Sequence, residues 1–296
     1  MARKHQIAVT LAFGLLALGG MGCAGKMQAE AGGASSLEKG WQNFRLAEFD
    51  LAEHNFSAVL AGSEKGGQDY LRAVFGLANV WNLRRPGEDL EKARAYYQEV
   101  LRDAPDSEMA PWCALALVRL QHVVPVGQDP DYGVVRKGYQ AIIDRYPGHL
   151  AAKESTIYLN ATLVATLEEN QTRQAVSNLT AFVATGTREF LASAYSLLAV
   201  SYTTLKMPEL RLQSEIKSFE HVEIDPANPF NEFAWAYWNI ATIAEFEVGD
   251  FETARKFYKR LIEEYPADIR CYSSQRALAR MNAVELAMRD GREFQP

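Results

Sequence analysis

Between Trp238 and Pro266 the chain reads WNIATIAEFEVGDFETARKFYKRLIEEYP. This stretch constrains the fold more than any other. Trp238, Ala241, Ala244 and the Glu245–Phe246 end of the first segment recur at helical spacing. Gly249-Asp250 then reads as a tight turn. Phe251, Ala254, Phe257, Tyr258, Leu261 and Ile262 form an i, i+3, i+4, i+7 stripe, and Pro266 stops it. Small Ala254 stands one turn before large Tyr258. A neighbouring helix can approach closely at the first and lean on the second.

The same frame recurs along the chain. ARAYYQEVLRDAP carries it at Ala93, Tyr97, Val100, Leu101 and Pro105. YGVVRKGYQAIIDRYP carries it at Tyr132, Val135, Tyr139, Ile142, Ile143 and Pro147. Phe49, Ala52, Phe56, Val59 and Leu60 repeat it without the proline. Weaker copies lie at Ala175, Leu179, Phe182 and Val183, and at Leu212, Ile216 and Phe219 with Asp225-Pro226 beyond. The small-residue positions fall at 52, 93, 135, 175, 212 and 254, so the steps run from 37 to 42 residues. RRPGED (Arg84–Asp89) and VPVGQDP (Val124–Pro130) read as lengthened turns between paired helices. No stretch past the leader sustains a two-residue alternation, so a sheet is not expected.

These residues resemble the tetratricopeptide repeat. In its frame Trp238 stands at place 4, Ala254 at place 20, Tyr258 at place 24, Leu261 and Ile262 at places 27 and 28, and Pro266 at place 32. Thr242 at place 8 and Glu245 at place 11 depart from the pattern. The family step is about 34 residues, and steps near 40 also fit HEAT-type helix pairs. The place 20/24/27/28/32 pattern, kept in three copies, favours the tetratricopeptide reading over HEAT pairs or an unrelated bundle. The resemblance implies an all-α, right-handed α-solenoid of about six helix pairs with a C-terminal capping helix, over residues 36–296. The cap, about Asp268 to Arg289, is expected to turn Leu278, Met281, Val284 and Met288 inward and Gln275, Arg280 and Asn282 away, with Gly291 closing it in a left-handed conformation.

The first 22 residues read as an export signal. Arg3 and Lys4 precede an apolar run from Ile7 to Leu18, too short to span a bilayer. Gly20-Met21-Gly22-Cys23 resembles a bacterial lipoprotein box, which implies lipidation of Cys23. Ordinary cleavage after Gly22-Cys23-Ala24 is the competing reading, and an uncleaved anchor is a third. Residues 23–35 are small, polar and Gly-rich, the composition of a tether. Ser35 with Glu38 forms a capping box that starts the first helix.

Composition narrows the function. The net charge is −6, and removal of Arg3 and Lys4 with the signal makes it −8. No basic patch is present to hold nucleic acid or an anionic lipid surface, so the membrane is expected to be met only through an N-terminal lipid. Histidines stand at 5, 54, 122, 149 and 221, with no pair at metal-ligand spacing. Neither a phosphate loop nor a nucleophile elbow occurs. Glu168-Glu169 and Glu263-Glu264 read as solvated faces near helix ends. The chain is therefore expected to be no enzyme and to need no cofactor or metal. Cys113 and Cys271, in separate repeats, read as small buried residues rather than a disulfide.

In tetratricopeptide proteins the first helix of each pair lines a concave groove. Carried over, that places Asn239, Ile243 and Phe246 of the sixth pair and Ser196, Val200 and Thr203 of the fifth in the groove. The surface is neutral and partly apolar; the alternative is that Ile243 and Phe246 pack on a neighbouring helix. A signal, a tether and such repeats resemble the envelope scaffolds of Gram-negative bacteria, among them the outer-membrane β-barrel assembly lipoproteins. That implies a non-catalytic scaffold for other envelope proteins or peptides, assisting assembly of an envelope complex. Ala24 rather than Asp after Cys23 favours the outer membrane, facing the periplasm. The alternative is a secreted or periplasmic receptor or accessory subunit that takes a peptide or small ligand in the groove.

Overall fold

The computed structural model describes residues 35–84, 86–222 and 233–291. The expected signal, Cys23 anchor and tether up to residue 34 lie outside them, as does Asp225-Pro226. Helices are the only regular elements among the described residues. In chain order they are α1 (Ser36–Arg45), α2 (Phe49–Gly62), α3 (Gln68–Leu83), α4 (Leu90–Asp103), α5 (Ala110–His122), α6 (Tyr132–Arg145), α7 (Leu150–Val164), α8 (Glu169–Ala184), α9 (Leu191–Thr204), α10 (Pro208–Glu220), α11 (Ala234–Ile243), α12 (Phe251–Glu264) and α13 (Arg270–Arg289). A π turn, Ala244–Val248, extends α11. The fold is all-α and of the helix-pair solenoid class: six pairs, then α13.

Local chemistry sets the boundaries. The Ser35 hydroxyl accepts from the Glu38 amide at 3.2 Å and the Glu38 carboxylate accepts from the Ser35 amide at 2.7 Å, a complete capping box. Asp89, Asp131 and Asp250 cap α4, α6 and α12 in the same spirit, each accepting from an amide two or three residues on. The lengthened segments at 84–89 and 123–131 both fall inside pairs, between α3 and α4 and between α5 and α6.

The repeated frame falls on the second helices and faces inward. Ala52, Ala93, Val135, Ala175, Leu212 and Ala254 are all buried. One turn later Phe56, Tyr97, Tyr139, Leu179 and Tyr258 are buried completely, and Ile216 is half-buried. Small residues on the first helices complete this fit. A Cβ added to Gly40 of α1 or Gly76 of α3 would stand 2.6 Å from the Phe56 ring, so only glycine allows that approach.

The chain forms two compact units, divided between Leu120 and Gln121 in the last turns of α5. In the first unit, one cluster gathers around Phe44, Phe56 and Leu77, and another around Phe75, Tyr97 and Cys113. In the second unit a cluster forms from Tyr237, Ile240, Tyr258, Leu261 and Met281. Cys113 and Cys271 are buried free thiols, one in each unit. Burial pushes the Cys113 thiol far above its usual range.

Three expectations need correction. Met288 lies on the outside of α13, and Ala287 takes the inward position. Arg280 does not stand clear of the core but reaches back to Glu245 of the π turn, with its Nε at 2.8 Å. Ile243 is 2% exposed and belongs to the core of the second unit.

Candidate functional site

α9 is apolar nearly all round. Leu197, Leu198, Ala199 and Ser201 are buried, Ser196 and Val200 are half-buried, and Thr203 is exposed. The three expected groove residues thus share one face, at steps of four and three. α11 is similar. Tyr237, Ile240 and Ala241 point inward; Trp235 and Phe246 are exposed, Phe246 at 65%, with half-buried Asn239 and Thr242 between them. Trp235, Asn239, Thr242 and Phe246 form one continuous outward line.

Ile243 leaves that line for a geometric reason. At 3.6 residues per turn it stands at least about 60° round from Phe246, on the side of Ile240. It therefore packs with the core while Phe246 faces out. Trp235 was not among the expected groove residues, although its spacing of four from Asn239 places it on the same face.

Phe246 projects from the π turn, and its neighbours hold that turn. Glu245 is buried there. The Tyr258 hydroxyl donates to its carboxylate at 2.9 Å, and the Arg280 guanidinium donates at 2.8 and 2.5 Å. A buried carboxylate with three donors, two of them on a cationic guanidinium, is satisfied rather than costly. This accounts for Glu at place 11 of the frame. Burial, reinforced by Glu245, pushes the Tyr258 hydroxyl well above its usual range. The Arg280 guanidinium also lies 5.0 Å from the centre of the Phe246 ring, so α13 supports the exposed ring from one side.

Thr203 and the π turn share a cavity of about 390 Å³, lined by Tyr202, Thr203, Lys206, Met207, Pro208, Arg211 and Glu247. One guanidinium nitrogen of Arg211 donates to both carboxylate oxygens of Glu247 in this lining, at 2.6 and 2.9 Å. The structure therefore brings Thr203 near the residue that follows Phe246. Burial raises the carboxyl of Glu215 on α10 above its ordinary value, and nearby Asn239 and Arg211 offset this only in part. Ser196 and Val200 lie farther along α9. In the first unit a second cavity of about 410 Å³ has an apolar floor of Leu71, Val74 and Val100, with Tyr70 and Glu99 at its rim. The Tyr70 hydroxyl donates to Glu99 at 2.8 Å and is pushed up to about 12. The α3 and α4 stripes gave no sign of it.

The outward line and the end of α9 offer two exposed aromatic rings and short polar side chains, and Glu245, Arg211 and Glu247 are paired within the protein. Among the described residues no three His, Cys, Asp or Glu side chains gather as a metal-binding group. None of the described helices is long and apolar enough to cross a membrane.

Solved structures match the chain at low identity, and one of them shares its fold. PilW, a widely conserved type IV pilus biogenesis factor, superposes with a TM-score of 0.54 at 13% identity, over 80% of this chain and 96% of its own. The RpL4 assembly chaperone Acl4 follows at 0.48 and 15%, over 86% and 98%. MamA of Desulfovibrio magneticus RS-1 gives 0.41 and 20%, over 64% and 97%. No curated protein matches the sequence significantly. The tetratricopeptide-repeat family matches residues 72–107, which hold α4 and most of α3, and residues 234–268, which hold α11, the π turn and α12. The chain therefore carries tetratricopeptide repeats in these two stretches, within an all-α fold of helix pairs.

Proposed function

We propose that the chain is a non-catalytic scaffold of the bacterial cell envelope, tethered by a lipid on Cys23, that holds a protein partner along the outward line of α11 and the exposed end of α9. The observation that carries this reading is the Phe246 ring, exposed yet backed by Arg280 and the bonded Glu245. A rigid exposed aromatic is the type of side chain that anchors a protein interface. Trp235 extends the anchor line by about three turns of helix. The tether reading rests on Arg3, Lys4, the Ile7–Leu18 run and Gly22-Cys23. PilW, a fold relative, is a type IV pilus biogenesis factor, which accords with an envelope setting.

A photo-crosslinking amino acid at Phe246 and at Trp235, in cells, tests the scaffold. Discrete adducts with one or a few envelope proteins are expected, lost when either ring is replaced elsewhere on the line by Ala. Crosslinking no stronger than at an exposed control such as Glu91 of α4 overturns it. Mass spectrometry of the mature N-terminus tests the anchor: a diacylated or triacylated Cys23 is expected, and an unmodified peptide beginning at Gly25 rules it out. The cavity beside Thr203 favours one other reading, a receptor for a small ligand. That reading requires a bound molecule to co-purify and Thr203→Trp to expel it.

A further inference from the structure

α13 packs on α12 through Cys271, Ser274, Ala277 and Met281. Its opposite face carries Ile269, Tyr272, Arg276, Ala279, Ala283 and Leu286 at steps of three and four. All six are exposed, Ile269 at 90%. A helix at the end of a helix-pair array normally shows a polar outer face, which keeps the array soluble. Here Arg276 is the one charged member of the row. No element of the described residues covers it.

We propose that this face is a dimer surface, on which α13 of a second copy lies antiparallel. The row itself points to a second copy. A twofold interface must be self-complementary, each residue meeting the residue at the mirror position. About Met281 the row has that property. Ala279 mirrors Ala283, Arg276 mirrors Leu286, and Tyr272 mirrors Asp290 just past the helix end. Small meets small at the centre, where the two backbones come closest. The aliphatic stem of Arg276 lies on Leu286 of the other copy. Its guanidinium and the Tyr272 hydroxyl both reach toward the other copy's Asp290, whose carboxylate is partly exposed and stands 3.7 Å from Arg289 of its own chain. A parallel copy would instead set Arg276 against Arg276. α13 has 20 residues and is thus about 30 Å long. One helix pair of that length covers less than the roughly 1,600 Å² of a standard interface, so the dimer is weak and reversible.

Sedimentation equilibrium of the purified full chain over about 1–300 μM tests this, the range in which small interfaces associate. The wild type is expected to pass from monomer to dimer. Ala283→Glu should weaken the association at least tenfold and leave the thermal melt unchanged, since the position faces out. Arg276→Asp alone should also weaken it, and Arg276→Asp with Asp290→Arg should restore it. A wild type that stays monomeric overturns the proposal. So does association that Ala283→Glu leaves intact, which would lie elsewhere on the chain. Failure of the paired charge reversal to restore the dimer overturns the antiparallel arrangement.

Discussion

Ile243 and Phe246 are three residues apart, and their environments make opposite predictions. Ile243 is packed among Ile240, Tyr258 and their neighbours. Ile243→Ala should cost about 2–5 kcal/mol, read as a lower urea midpoint at unchanged slope. Phe246 keeps one supporting contact, the Arg280 guanidinium, worth about 0.5–1 kcal/mol at an exposed site. Phe246→Ala should lower stability by no more than that and should abolish partner crosslinking from Trp235. If the Phe246 variant melts as low as the Ile243 variant, the ring belongs to the core and the binding line is wrong. Glu215 makes a prediction about pH. Burial raises its carboxyl pKa, and neighbouring Asn239 and the Arg211 charge only offset this in part. The folded state therefore holds its proton to higher pH than the unfolded chain does. Stability from this group is present at low pH and falls as pH rises through the folded value. Glu215→Gln keeps a partner for Asn239 and removes the charge. The variant and the wild type should melt together near about pH 4, where the unfolded carboxyl is largely protonated, and the variant should melt higher near about pH 7. A gap that narrows between those two pH values excludes this account.

At the scale of elements, the turns inside the pairs repeat a conformation more faithfully than they repeat a sequence. Ala47, Leu167, Lys206 and Gly249 follow α1, α7, α9 and the π turn, and all have positive φ, from 57° to 78°. Only Gly249 is a glycine. An L-residue there costs about 1–2 kcal/mol, and glycine returns about 0.5–1 kcal/mol of that to the unfolded chain as entropy. Leu167 is exposed, so Leu167→Gly loses no packing. It should stabilise the protein by about 0.5–1 kcal/mol in urea titration. A loss would mean that the Leu167 side chain holds the turn. The same comparison explains what was legible. Gly249-Asp250 announces its turn because glycine and an N-cap carry the signal; the turns at Leu167 and Lys206 carry none. Second helices such as α12 bury one stripe and expose the rest, so their period gives both the element and its inward face. First helices such as α9 and α11 are buried on several sides. Their sequences, LASAYSLLAVSYTT and AWAYWNIATI, are apolar nearly all round. Such a pattern reports a helix but not its orientation. Ile243 was therefore expected in the groove, and Trp235 was missed. Met288 was expected inside α13 for a related reason: small residues, Cys271, Ser274, Ala277 and Ala287, form much of its inward face, so the large apolar residues alone do not trace it. The link from Glu245 to Arg280 spans 35 residues, and no local pattern encodes it.

At the scale of the whole molecule, each core cluster draws on helices adjacent in sequence. Stability in such an array is a sum of local packing and neighbour contacts. Damage should then open one unit before the other, and the two buried thiols can report it. Cys113 packs with Phe75 and Tyr97 in the first unit, and Cys271 with Leu261 and Met281 in the second. A buried thiol reacts only when its surroundings open, so its labelling rate follows the population of the open form. Two overpacking variants act on different units. Gly76→Ala drives a methyl into the Phe56 ring beside the first cluster. Ala254→Trp forces an indole into the fully buried contact of α12 in the second. Each should cost about 1–3 kcal/mol, or more for the indole, and every 1.4 kcal/mol is about a tenfold rise in opening. Labelling in mild urea, read separately for each cysteine peptide by mass spectrometry, should then show Cys113 accelerated about tenfold or more by Gly76→Ala and Cys271 by Ala254→Trp. The other thiol should change little in each case. Should either variant accelerate both thiols equally, the two units open as one cooperative body, and local summation does not describe this chain.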